Sequence, residues 1–176
     1  MSPHDETSLV RRAQRGDREA LGALWDLFTP KLFGYLMNTL RDRPLAEDIL
    51  QATWLKAQGA LSRFGNRGAG MGAWLFAIAR NECRGHWRRT GRETPLDPAV
   101  HDMERDSGKE LEEKILAEQI LGSLSEGDRE LLRLRYIADL PTADIARVLN
   151  INFVTARVRI HRALSRAREI LISKTP

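Results

Sequence analysis

A chain of 176 residues has room for one medium domain or two small ones, and its 42% hydrophobic content excludes wholesale disorder. The net charge of +4 is a mild basic bias whose meaning depends on where it sits, and the single cysteine, Cys83, excludes an intramolecular disulfide and fits a reducing compartment. No apolar run approaches the roughly 18 residues that span a bilayer, and the start MSPHDETSLVRRAQRGD lacks the basic-then-apolar order of a signal peptide, so the expectation is a cytoplasmic protein without membrane insertion.

Helical periodicity recurs along almost the whole chain and sustained alternation is missing, which predicts an all-α fold. Leu21, Leu24, Trp25 and Phe28 space an apolar face after Asp17, an N-cap candidate that follows Gly16. The pattern continues through Leu32, Tyr35, Leu36 and Leu40, with Pro30 predicting a kink or a restart. Ala46, Ile49, Leu50, Thr53, Trp54 and Ala57 form the stripe of a third helix, with Glu47 and Asp48 near its positive end. Trp54 falls on that stripe and is assigned to the core. Four glycines in the eight residues from Gly65 to Gly72 predict a loop. A helix resumes at about Ala73 and runs past Trp87, with Trp74, Leu75, Ile78 and Ala79 on its apolar side.

Between Thr90 and about Lys109 periodicity vanishes, and two prolines, two glycines and several acids predict a flexible linker. The expected organisation is two small helical domains, residues 1–90 and 111–176, joined by an acidic linker over 91–110. In the second domain Leu111, Ile115, Leu116 and Ile120 predict one helix. Ser125 with Asp128 resembles a capping box, which opens another through Leu131, Leu132, Leu134 and Ile137. Pro141 to Leu149, the turn Asn150-Ile151-Asn152 and a stretch from Phe153 to Ile172 read as helix, turn, helix. Ala146 stands where the pair crosses closely, and Asn150 where a left-handed residue is needed.

Charge is segregated along these elements. Residues 80–92 carry Arg80, Arg84, Arg88, Arg89 and Arg92 against Glu82 alone. Residues 157–174 carry Arg157, Arg159, Arg162, Arg166, Arg168 and Lys174 against Glu169 alone. Residues 93–113 carry eight acids and two bases. Either basic helix by itself reads equally well as a solvated face. Two together, one of them the second helix of a helix-turn-helix, favour nucleic acid, because arginine suits phosphate oxygens and guanine edges. The outward positions of the second helix include Thr155, Arg157, Arg159, His161 and Arg162 and would enter a major groove.

No enzyme, cofactor or metal site is expected. Cys83 and His86 make two ligands and no third, no phosphate-binding loop is present, and Cys83 reads as a small packed side chain. A helix-turn-helix regulator that binds operators unaided is the alternative to the reading that follows.

Three motifs in order carry a resemblance to the extracytoplasmic-function (ECF) sigma factors of bacterial RNA polymerase. Ala46-Glu47-Asp48-Ile49-Leu50-Gln51-Ala52-Thr53-Trp54 and Trp74-Leu75-Phe76-Ala77-Ile78-Ala79-Arg80-Asn81 resemble the signatures of that family's core-binding and promoter-melting domain. Asp144-Ile145-Ala146, Thr155-Ala156-Arg157-Val158-Arg159 and His161-Arg162-Ala163 resemble those of its −35-binding domain. The resemblance implies that Glu47, Asp48 and Gln51 dock on the clamp helices of the polymerase β′ subunit, with the β subunit also a partner. Asn66, Arg80, Asn81, Arg84, Trp87, Arg88 and Arg89 would handle the −10 element. Thr155, Arg157, Arg159, His161 and Arg162 would read the −35 element. Trp87 serves equally as a stacking surface or as packing for the N-terminal helices. Promoter DNA, core polymerase and an anti-sigma factor are the partners implied.

Overall fold

The computed structural model describes residues 3–65, 70–91, 117 and 119–174, and every described element is helical. Helix α1 (Pro3–Gln14) is amphipathic: Val10 and Ala13 are buried, acids sit in its first turn and arginines in its last. Gly16, at φ +88°, turns the chain into α2 (Arg18–Leu40). The Asp17 carboxylate accepts from the backbone N–H groups of Glu19 and Ala20, as an N-cap should.

Of the kink or restart expected at Pro30, the restart does not occur: α2 runs through it. Pro30 and Asp26 both lie on the exposed face, where the carbonyl left without a donor is open to water. Helix α3 (Arg43–Ala60) begins on an Asp42 side chain that accepts from Leu45 N–H, with Pro44 in the first turn. Its buried stripe is Ala46, Ile49, Thr53, Trp54 and Ala57, as the periodicity predicts. Trp54 donates its ring N–H to Thr29 Oγ1 and stacks on Trp25 at 4.7 Å between centroids. The single turn Leu61–Arg63 ends α3, and α4 (Met71–Thr90) starts two residues earlier than expected.

Helix α5 (Glu126–Leu132) opens on Ser125, whose hydroxyl accepts from Asp128 N–H. It continues as a widened π turn, Arg133–Ile137, capped by Ala138 and followed by Asp139 at φ +54°. Helix α6 (Thr142–Leu149), the turn at Asn150 (φ 54°) and α7 (Phe153–Lys174) form the helix-turn-helix. Asn150 takes the left-handed conformation that its place in the sequence demands. The small Ala146, Ala156 and Ala163 are all buried, so α5, α6 and α7 approach closely.

Two helical units result, α1–α4 and α5–α7, and they touch. Leu131, Leu134, Ala138, Leu140, Ile145 and Val148 of the second join the same hydrophobic core as Leu32, Tyr35, Leu75 and Phe76 of the first. Two glycines permit the approach. A Cβ on Gly34 would lie 3.4 Å from Ile137 Cγ2, and one on Gly72 would lie 3.2 Å from Phe28 and 3.5 Å from Leu140. The linker beyond Gly91 and the helix expected around Leu111, Ile115 and Leu116 lie outside the described residues, as does Asn66.

Candidate nucleic-acid interface

Helix α7 owes its orientation to its first turn. Asn152 Oδ1 accepts from Thr155 N–H at 2.7 Å, and Ile151 N–H returns to Ala146 O at 2.9 Å. These two bonds fix how the second helix leaves the first. Ala156, Ile160 and Ala163 face inward, so the opposite face of α7 looks away from the protein. Arg157, Arg159, His161 and Arg162 are all exposed. Thr155 is only half exposed, and its backbone serves the cap. Arg159 leans back over α5, its Nη2 3.3 Å from where a Gly127 Cβ would be. Arg166 is paired with Asp128. Among the described residues Arg157, Arg162 and Arg168 have no carboxylate partner, and they keep this face electropositive.

Helix α4 carries the second basic face. Its only acid, Glu82, is neutralised by Lys56 at 2.6 Å. Asn81, Arg84, Arg88 and Arg89 are exposed, and the last two fold over Gly85. Trp87 is half-buried against the hydrophobic core. Arg80 is engaged: its Nε and Nη2 meet the two carboxylate oxygens of Glu130 at 2.6 and 3.2 Å, across the boundary between the units. Burial works against the Arg80 charge, but the Glu130 carboxylate outweighs it and the guanidinium is held more firmly protonated than usual.

The residues on either side of positions 66–69 are held from α1. Gln14 Nε2 donates to the carbonyls of Leu61 and Phe64, and Glu6 Oε1 accepts from Met71 N–H at 2.7 Å. Glu6 thereby caps a helix 65 residues further along the chain. Helix α1 and these ties were missed by the sequence reading, although acids at 5 and 6, apolar residues at 9, 10 and 13 and arginines at 11 and 12 spell out an amphipathic helix. The Phe64 and Trp74 rings pack at 4.7 Å beside the loop.

On α3, Glu47, Asp48 and Gln51 are exposed, and Glu47 is paired with Arg43 at 3.0 Å. Asp48 and Gln51 continue into Leu55, which is 63% exposed and shares their face. Leu55 lies off the buried stripe of α3, and that is the signal by which it was recoverable from sequence. Cys83 is buried, and burial pushes its thiol pKa up to about 12, as befits an inert packed residue. No cluster of potential metal ligands occurs among the described residues, and none of their helices is long and apolar enough to cross a membrane.

A helix-turn-helix with an electropositive outer face, joined to a helical unit with a second basic helix, defines a DNA-binding transcription factor. The chain matches the family Sigma-70 region 2 over residues 24–93 and the family Sigma-70, region 4 over residues 115–166. It is 31% identical to the RNA polymerase sigma-H factor of Pseudomonas aeruginosa, over 93% of this chain and 92% of that protein. It is 26% identical to the ECF RNA polymerase sigma factor SigW of Bacillus subtilis, over 92% and 94%. Among solved structures it resembles the sigma factor RpoE of Bartonella quintana, determined with the anti-sigma factor NepR. There the TM-score is 0.69 at 27% identity, covering 88% of this chain and 98% of that one. The chain belongs to the sigma-70 family as an ECF RNA polymerase sigma factor, a transcription initiation factor.

Proposed function

We propose that this sigma factor divides its work among three of the surfaces described. The exposed strip of Glu47, Asp48 and Gln51 on α3 docks on the β′ clamp helices of core RNA polymerase. Helix α7 enters the major groove of the −35 element, with Arg157, His161 and Arg162 reaching the duplex. Helix α4 and the loop before it hold the −10 strand: Asn66 and Asn81 serve base edges, and Arg80, Arg84, Arg88 and Arg89 serve the backbone. Stacking a separated base on a side chain contributes about 1–3 kcal/mol. That is comparable to the roughly 1.4 kcal/mol per step lost from the duplex, so opening needs no nucleotide hydrolysis.

The observation that carries this reading is the electropositive outer face of α7, set by the Asn152 cap and left without carboxylate partners at Arg157 and Arg162 among the described residues. The Arg80–Glu130 pair adds a condition. Arg80 reaches a DNA strand only after the two units part, so the closed arrangement is the form that an anti-sigma factor would hold. The test is co-elution of the purified chain with bacterial core polymerase, followed by transcription from a promoter library. A stable complex and new promoter-specific transcripts support the proposal. Specific binding to a DNA site by the chain alone, with no affinity for polymerase, would identify a stand-alone regulator instead.

A further inference from the structure

The middle of the outward face of α7 is not charged. At about 100° per residue, the positions most nearly opposite the buried Ala156, Ile160 and Ala163 are Val154, Val158 and the half-buried Ser165, with His161 beside them. Val154 is 68% exposed and Val158 40%, and Phe153, 50% exposed, adjoins them at the leading end. Arg157 lies on one flank and Arg162 on the other. A face adapted only to solvent, or only to phosphate, has no use for two branched aliphatic side chains at its centre, where their exposure to water is unfavourable. The flanking arginines specify the charge of whatever covers them. The occupant is polyanionic at its edges and apolar in its middle.

The major groove of DNA has that profile, with phosphates along both walls and, on its floor, one apolar substituent, the thymine 5-methyl group. We propose that Val154 and Val158 read thymine methyl groups in the −35 duplex and so set which bases this sigma factor accepts there. This rests on the reading of α7 as the −35 helix and names the chemistry that it recognises. The two valines are four residues apart, about 6 Å along the helix axis. Base pairs are spaced about 3.4 Å along the duplex, so the pair addresses methyl groups roughly two steps apart.

The experiment uses holoenzyme reconstituted from the full chain and bacterial core polymerase. A promoter library randomised over the −35 segment is transcribed and the preferred element is determined. Each of its thymines, on either strand, is then replaced by deoxyuridine, which lacks only the methyl group. Removing a contacted methyl lowers initiation about fourfold, the equivalent of one buried carbon. In V154A or V158A the same replacement at the corresponding position has no further effect, because the side chain that felt the methyl is gone. Both valines are exposed, so these variants fold, and unchanged thermal melting verifies it.

The proposal is overturned if the selected element shows no preference for A·T pairs. It is equally overturned if wild-type holoenzyme initiates alike on thymine and deoxyuridine templates at every position, or if both variants keep full sensitivity to the methyl. If no library member supports transcription, the −35 reading itself fails and the methyl proposal falls with it. The first three results leave promoter-dependent transcription intact, so the two failures are distinguishable.

Discussion

Arg80 and Glu130 face each other fork to fork, Nε to Oε1 at 2.6 Å and Nη2 to Oε2 at 3.2 Å, and bridge the arginine-rich helix α4 to the C-terminal unit. Both side chains are about four-fifths covered, so the pair is shielded from much of the screening that weakens a surface ion pair. Glu130→Ala leaves Arg80 partly buried without its partner, a loss of about 1–3 kcal/mol. Small-angle scattering should show a larger radius of gyration for E130A than for wild type. The charge-swapped double variant, R80E with E130R, should regain compactness. An unchanged radius in E130A would mean that the shared apolar core alone holds the units together.

Arg157 and Arg162 flank the outward face of α7 and have no carboxylate partner among the described residues. Replacing either by Ala removes a contact worth about 1–3 kcal/mol if it goes to a base edge. Initiation from a −35-dependent promoter should fall roughly tenfold for each, with the binding of core polymerase unchanged in gel filtration. Undiminished transcription from the double variant would exclude α7 from −35 recognition.

Asn81 is exposed on α4, on the same side of the helix as Arg84. In Asn81→Ala, permanganate reactivity of the −10 thymines, which reports strand separation, should drop more than the yield of closed complex. Equal loss at both steps would assign Asn81 to duplex binding rather than to opening.

Cys83 sits in the core with its thiol pKa raised to about 12 by burial and by the nearby negative charge of Glu130. Thiolate is therefore scarce at neutral pH. A thiol reagent at pH 8 should leave the native protein unmodified for hours and label one cysteine in full once denaturant is added. Rapid labelling of the native protein would show that this part of the core opens readily.

The Asp17 carboxyl is held below its ordinary value of 3.8 by the backbone N–H of Ala20, which it accepts, and by the Arg12 guanidinium. Because the folded-state value is the lower one, this stabilisation is complete above the unfolded value and is lost as pH falls through the depressed one. Asp17→Asn keeps a capping oxygen without the charge. Its stability should therefore decline less steeply than that of wild type as pH falls below about 4. Parallel acid-unfolding curves would remove Asp17 from the pH dependence.

Much of this architecture was legible in the sequence, because local rules and tertiary context agree there. Asp17, Ser125 and Asn150 perform the capping and turn roles that their chemistry dictates, and the stripe through Ile49, Thr53, Trp54 and Ala57 is buried where the period places it. What escaped depends on contacts distant in sequence. The π turn over Arg133–Ile137 shares the apolar spacing of an ordinary helix, so the widening leaves no trace in the pattern. That Arg80, among the four arginines of α4, is paired depends on a glutamate fifty residues away. Thr155 and Arg159, expected to face outward, lie to one side of the outward face; one is half covered and the other lies over Gly127, whereas Val154 and Val158 occupy the centre of the face.

The two ties from α1 to the loop before α4 bear on how such a protein diversifies. Gln14 holds the carbonyl of Phe64 and Glu6 holds the amide of Met71, so both ends of the stretch between them are anchored to scaffold rather than to each other. Gly70 belongs to the second anchor, since a Cβ there would lie 3.3 Å from Glu6 Oε1. Doubling the length of a segment held at both ends costs only about 0.6 kcal/mol in closure entropy. Grafting the corresponding stretch from a relative, with Glu6, Gln14 and Gly70 kept, should accordingly leave the frame in place, and an unchanged melting temperature would show it.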